Sequence, residues 1–267
     1  MLPKTIKAAV AAAGISCAGV CGVLVAPAAQ AGDARDALPA ATDVHGENSR
    51  PVVFILPGQS VGTLPYGKMK SNLEAGGYDA RVLDLKGTDV VADAHLIADE
   101  VHRVRENNPD AEISLVGHSA GGISAREYLK HQGGTEDIAR YIAIGSPQYG
   151  SPGACVQSGT AKDLCPGSDY MNRLNAGDDT PGPTEYYAIR GEHEWADGRL
   201  DGGQCRMKPV ASPSPLINGG FHHSIEPLQS EISATVLAAL NGTCTGEFVD
   251  EPIGSIQAKD TIFQDGL

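Results

Sequence analysis

Apolar runs alternate with amphipathic segments along the middle of the chain. Five short runs dominated by apolar residues predict buried strands: 51–56, 80–85, 112–116, 137–144 and 185–189. Hydrophobic residues at helical spacing predict helices over 66–74, from Asp89 to about Asn107, immediately after Ser119, and over 228–240. Strands that alternate with helices imply an α/β fold, in which helices cover both faces of a mostly parallel sheet.

The two ends of the chain differ from this pattern. Lys4 and Lys7 precede a run rich in Ala, Gly and Val that ends at Ala29-Gln30-Ala31, which is the organisation of a secretory signal peptide. We therefore predict a signal peptide over 1–31, a polar leader over 32–48, one folded domain over 49–244 and an irregular acidic tail over 245–267. We expect a secreted protein without stable insertion in a membrane.

The formal charge of the chain is −13, and it becomes −15 without the two lysines of the predicted signal peptide. Phosphate groups repel such an acidic protein, which argues against nucleic acid and anionic membranes as partners. The charge also favours solubility, and we expect a monomer.

Four cysteines follow the predicted signal peptide: Cys155, Cys165, Cys205 and Cys244. An even number in an exported chain predicts disulfide bonds, for which three connectivities exist. We favour Cys155 with Cys165, which closes a short loop, and Cys205 with Cys244, which secures the end of the last helix. No pair has the Cys-x-x-Cys spacing of a metal site, so we predict no metal.

Segment 117–122 reads GHSAGG and contains the pattern Gly-x-Ser-x-Gly. This pattern is typical of a nucleophile elbow, a tight turn between a strand and a helix that exposes the serine hydroxyl. A predicted strand precedes the segment and a predicted helix follows it, as the elbow requires. Ser119 is therefore the candidate nucleophile.

A serine nucleophile needs a base to accept its proton and an acid to orient that base. In folds with this elbow the histidine lies shortly before the last helix, where segment 220–225 reads GFHHSI. Both His222 and His223 fit this position. The acid should follow the strand at 185–189, and the spacing after that strand favours Glu194 over Glu192 and Asp197.

The developing oxyanion of acyl transfer needs two backbone N–H donors. One should come from Ala120, the residue after the nucleophile, and the other from Gln59 in the loop after the first strand.

Several segments together resemble the secreted bacterial triacylglycerol lipases and esterases of the α/β-hydrolase superfamily. They are VFILPG at 53–58, GHSAGG at 117–122, IGSPQYGS at 144–151, CPGS at 165–168 and LNAGDDTPG at 174–182. The pattern His-x-Ser-Ile is similar to the histidine loop of small lipases, and this similarity favours His222 over His223. Two positions depart from the family: Pro57 replaces a usual histidine, and Glu194 stands where aspartate is common.

The resemblance implies an α/β-hydrolase fold and a serine hydrolase that cleaves carboxylic esters of the acylglycerol type without a cofactor. Two other functions would fit the same residues. An acyltransferase would pass the acyl group to an alcohol, and a non-catalytic secreted binding protein would keep the fold alone.

Overall fold

The computed structural model describes residues 50–211 and 220–260, and within them seven strands form one sheet. In chain order they are β1 (Val52–Leu56), β2 (Asp79–Val82), β3 (Ile113–His118), β4 (Ile138–Ile144), β5 (Glu185–Ile189), β6 (Gly202–Arg206) and β7 (Glu247–Glu251). Their order across the sheet is β2-β1-β3-β4-β5-β6-β7. All neighbours are parallel except β6 and β7, which pair antiparallel. The predicted signal peptide and polar leader lie outside the described residues.

Helices cover both faces of this sheet, as the alternating pattern predicts. They are α1 (Gly67–Ala75), α2 (Val90–Asn107), α3 (Ala120–His131), α4 (Asp169–Leu174), α5 (Gly220–Ile225) and α6 (Ser230–Leu240). Strand β1 shows why its sequence is apolar without interruption. Phe54 and Leu56 pack into the core beneath α2 and α3, whereas Val53 and Ile55 pack into the core beneath α1 and α6.

The boundaries of α2 follow from local chemistry. The side chain of Asp89 accepts a hydrogen bond from the backbone N–H of Ala92 at 3.0 Å, which caps the first turn. Ile97 and Val101 lie on the buried face of the helix and are inaccessible to solvent. Strand β5 has the predicted bounds, and α6 begins two residues later than predicted.

The prediction of an irregular tail over 245–267 is wrong for Glu247–Glu251, which forms the edge strand β7. This strand is acidic, and Phe248 is 67% exposed, so no apolar run indicated it. Its partner β6 contains two glycines and was also not predicted. Pairing with a neighbour, rather than local hydrophobicity, defines both strands.

Two disulfides form with the predicted connectivity. Cys155 pairs with Cys165, and Cys205 in β6 pairs with Cys244, which lies between α6 and β7. In the described parts of the chain, no helix is both long and apolar enough to cross a membrane.

Candidate active site

Ser119 lies at the turn between β3 and α3, at the carboxyl edge of the sheet. Its backbone has φ 54° and ψ −127°, a conformation that L residues rarely adopt. The glycines around it are required by close approach. A Cβ on Gly117 would lie 2.5 Å from the Cα of Gly122, and one on Gly121 would lie 2.2 Å from the backbone oxygen of Leu56. The local structure is therefore that of the predicted nucleophile elbow.

His223 connects Ser119 to a buried carboxyl group. Its Nε2 atom lies 2.8 Å from the Oγ of Ser119, and its Nδ1 atom lies 2.8 Å from an Oε atom of Glu194. Glu194 is 2% exposed, and its second carboxyl oxygen accepts a hydrogen bond from the backbone N–H of Ala196 at 3.1 Å. The three side chains thus form a continuous chain of hydrogen bonds.

The preference for His222 over His223 is corrected by this geometry. The two histidines are successive residues of α5, where side chains differ in direction by about 100°. His223 faces Ser119, whereas His222 is fully buried against Gly191, with Gln229 Nε2 donating to its Nε2 at 3.4 Å. Burial lowers the pKa of His222.

Glu194 is the predicted acid that contacts the histidine. Glu192 is exposed, two residues earlier in the same segment. The carboxylate of Asp197 instead accepts hydrogen bonds from the backbone N–H of Arg199 at 2.9 Å and from its guanidinium group. The structure therefore brings Glu194 together with His223 and leaves the other two candidates outside this contact.

The loop after β1 lies directly against the nucleophile. A Cβ on Gly58 would be 3.0 Å from the Cβ of Ser119. Among the described residues, the backbone N–H groups of Gln59 and Ala120 have no hydrogen-bond acceptor. The side chain of Gln59 pairs with that of Gln157, with Gln59 Nε2 donating to Gln157 Oε1 at 2.6 Å. Within the described residues, the N–H groups of both predicted oxyanion donors are thus unpaired, and Gly58, which precedes Gln59, lies against Ser119.

A second hydrogen-bond chain lies behind these residues. The hydroxyl of Tyr66 accepts from the N–H of Gly58 at 2.8 Å, so its own proton is directed to the Nδ1 of His118 at 2.7 Å. The Nε2 of His118 then donates to the backbone oxygen of His223 at 2.9 Å. Burial and the nearby His223 lower the pKa of His118 to about 3, which keeps it neutral. This chain joins the oxyanion loop, the elbow strand and the histidine segment.

Sequence reasoning missed Tyr66 and Glu226. Glu226 is fully buried beside Glu194, and it follows His223 by three residues. Residues three apart share one side of a helical segment, so the spacing His223-x-x-Glu226 was a usable signal. No comparable signal indicated Tyr66.

Three side chains at this site have the spacing of metal ligands. Ligand atoms of His118, His223 and Glu226 lie within 4.8 Å of one another. However, both ring nitrogens of each histidine are engaged in the hydrogen bonds described above. The two histidines are thus already used within the protein, and Glu226 alone does not make a metal site.

Neither a protein-family model nor a curated protein sequence matches this chain. Solved structures do match. The propeptide form of the Bacillus licheniformis lipase BlEst2 is 17% identical, covers 73% of this chain and 51% of its own, and has a TM-score of 0.56. Its mature form is 19% identical, with 57% and 70% coverage and a TM-score of 0.48. The lin2722 product of Listeria innocua is 13% identical, with 72% and 94% coverage and a TM-score of 0.50.

This chain therefore spans about half the length of the BlEst2 propeptide form. The similar structure with the TM-score of 0.56 is a lipase. At these identities the likeness concerns the fold alone. Together with the mostly parallel seven-stranded sheet, it defines an α/β-hydrolase fold.

Proposed function

We propose that this protein is a secreted hydrolase of carboxylic esters, in which Ser119 forms an acyl-enzyme. The observation that carries the proposal is the pair of 2.8 Å contacts from His223, one to Ser119 and one to Glu194, at a strained elbow. A strained serine in contact with a base, which is itself held by a buried acid, is the arrangement that activates a hydroxyl nucleophile.

In the proposed reaction, the Oγ of Ser119 attacks the ester carbonyl while the Nε2 of His223 takes its proton. The Nδ1–H of His223 donates to Glu194, which stabilises the imidazolium that forms. The N–H groups of Gln59 and Ala120 bind the oxyanion of the tetrahedral intermediate. His223 returns the proton to the leaving alcohol, and water then hydrolyses the acyl-enzyme by the same steps in reverse.

Two exposed apolar side chains near the oxyanion loop, Val156 and Leu64, support an ester substrate with an acyl chain. Val156, in the segment that faces Gln59 and Ser60 across an open and mostly polar cavity of about 560 Å³, is 89% exposed. Leu64, in the segment that follows the loop, is 92% exposed. Two disulfides and a predicted signal peptide support export, since disulfides persist in oxidising compartments.

Substitution of Ser119 tests the nucleophile. We expect Ser119→Ala to lower kcat on a short-chain ester by roughly 10⁴-fold or more, and to abolish labelling by a fluorophosphonate. The exposed Ser71 in α1 provides the matched control, because Ser71→Ala removes a hydroxyl far from the elbow. Ester hydrolysis that survives in Ser119→Ala, or a wild-type protein that takes no label, would contradict the proposal.

The same assay distinguishes the two histidines. His223→Ala should lose activity to the same extent as Ser119→Ala, because the two groups act as a unit. His222→Ala should instead lower stability, since it removes a fully buried ring, and retain most of kcat per folded molecule. Equal losses of kcat would overturn the assignment of His223.

A further inference from the structure

Glu226 is a fully buried carboxyl group that the proposed reaction does not use. It begins the short 3-10 turn Glu226–Leu228, directly after α5. Its Oε1 accepts a hydrogen bond from the backbone N–H of Gly191 at 2.7 Å. Its Oε2 is buried and faces no hydrogen-bond donor among the described residues.

The buried Oε2 of Glu226 lies next to the proposed triad acid. A Cβ placed on Gly145 would be 2.5 Å from Oε2 of Glu226 and 2.9 Å from Oε2 of Glu194, so both oxygens border the same small volume. The two carboxyl groups are therefore neighbours in the protein interior, and the charge of Glu194 acts on Glu226. A carboxylate–carboxylate contact of this kind is stable only when one group carries a proton.

The surrounding donors identify which group is protonated. Glu194 accepts hydrogen bonds from His223 Nδ1 and from the N–H of Ala196, so both of its oxygens have donors. Glu226 has one donor, Gly191, and its second oxygen has none. The proton therefore belongs on Glu226, where it turns an unpartnered acceptor into a donor.

The other charged or titratable groups near Glu226 do not change this assignment. They are Tyr66, His118, His222, His223 and Arg190. His118 Nε2 lies 3.9 Å away, and its proton is directed to the backbone oxygen of His223. Arg190 favours ionisation of Glu226, but burial and the charge of Glu194 raise its pKa well above the ordinary value.

We propose that Glu226 is protonated at neutral pH and donates a hydrogen bond to Glu194, which makes it a positioning residue for the acid of the triad. The inference rests on the proposed function, because Glu194 orients His223 only if that triad operates. In this arrangement the pair carries one negative charge instead of two, and the Glu194 carboxylate is fixed towards His223.

Two substitutions at Glu226 and the pH profile of kcat/KM test the proposal. Glutamine reproduces a neutral carboxyl, because its amide can accept from Gly191 and donate to Glu194. We expect Glu226→Gln to keep kcat/KM within about threefold and to leave the acidic limb of the profile, which reports His223, unshifted. Glu226→Leu removes the donor and should lower kcat by roughly tenfold or more with little change in KM.

An ionised Glu226 gives a different result. In that case Glu226→Gln would remove a negative charge near His223 and move the acidic limb to lower pH, which would overturn the proposal. Equal activity in Glu226→Leu and wild type would overturn the positioning role. Glu231→Gln, at an exposed acid of α6, is the matched control and should change neither quantity.

Infrared spectroscopy makes the test independent of activity and of the leucine variant's folding. The wild-type protein at pH 7 should show the carbonyl stretch of a protonated carboxyl, and Glu226→Gln should lose that band. If the band is present but Ser119→Ala keeps full activity, the proposed function fails while the protonation of Glu226 stands. A wild-type spectrum without the band overturns the inference alone.

Discussion

Asp179 and Glu226 are both fully buried carboxyl groups, but their surroundings differ in charge. Asp179 accepts hydrogen bonds from Arg126 at 2.7 Å, from Lys130 at 2.8 Å and from the hydroxyl of Tyr149 at 2.6 Å. Glu226 has a single backbone donor on one oxygen and a second carboxyl group beside the other. The first site surrounds the carboxylate of Asp179 with two cations, whereas at the second site two acids share one negative charge.

The difference shows that burial alone does not determine the charge of a carboxyl group. Burial raises the pKa of Asp179, but Arg126 and Lys130 outweigh it and hold that pKa below its ordinary value. At Glu226, burial and the charge of Glu194 both raise the pKa. Arg126 and Lys130 lie on α3, so the first site secures the helix after the elbow to the segment before β5. The second lies at the proposed triad.

Among these changes, removal of Arg126 from the site around Asp179 should cause the largest loss of stability. Arg126→Met leaves Asp179 buried with Lys130 as its remaining cation, and we expect a loss of about 3–5 kcal/mol in the free energy of unfolding. Urea denaturation at pH 7 measures this loss. The exposed pair of Lys70 and Glu74 supplies the control, since Lys70→Met should cost about 1 kcal/mol or less. A loss below about 1 kcal/mol in Arg126→Met would show that the buried pair adds little.

The strands at the centre of the sheet could be predicted because their signal is local. β1 and β5 are apolar on both faces, and their bounds follow from the run of residues itself. The elbow was also predictable, because the close approaches at Gly117 and Gly121 exclude any larger side chain. Ser119 and Glu194, which both contact His223, were predicted from their order after predicted strands.

The parts of the fold and of the site that could not be predicted depend on contacts between segments distant in the sequence. His222 and His223 are adjacent, and only the direction of α5 against β3 decides which ring meets Ser119. The predicted loop in fact contains a helical turn, so a preference based on a similar loop failed. The pairing of β6 with β7 likewise joins residues about 45 positions apart, such as Gln204 and Val249.

The two buried carboxyl groups should give opposite slopes of stability with pH. Because the pKa of Asp179 is lowered in the folded protein, its ionised carboxylate stabilises the native state at a pH above its unfolded-state pKa of about 3.9. This stabilisation is lost as the pH falls through the folded-state pKa of Asp179. Because the pKa of Glu226 is raised in the folded protein, its protonated carboxyl stabilises the native state at a pH below its unfolded-state pKa of about 4.3. This stabilisation is lost as the pH rises towards the folded-state pKa of Glu226. Each slope is at most about 1.4 kcal/mol per pH unit, the equivalent of one proton.

Unfolding free energies measured from pH 3 to pH 8 separate these contributions. Asp179→Asn should flatten the slope below about pH 4, although it also lowers stability throughout. Glu226→Gln should flatten the dependence of the unfolding free energy on pH above about pH 4. Below that pH the dependence should be the same as in the wild-type protein. If the two variants change the same part of the curve in the same direction, the contrast between the sites is wrong.

Substitution of Lys130 should have the smallest effect on the free energy of unfolding. Comparison with Arg126→Met shows which of the two cations near Asp179 contributes more to stability. Its side chain is 6% exposed, and burial together with the charge of Arg126 lowers its pKa. Lys130→Met relieves that repulsion and leaves Asp179 with Arg126, so we expect a loss of about 1 kcal/mol or less in urea denaturation. The double variant with Arg126→Met should then lose more than the sum of the two single losses, because only together do they leave Asp179 without a cation. Simple additivity would mean that Asp179 does not depend on either cation for its charge.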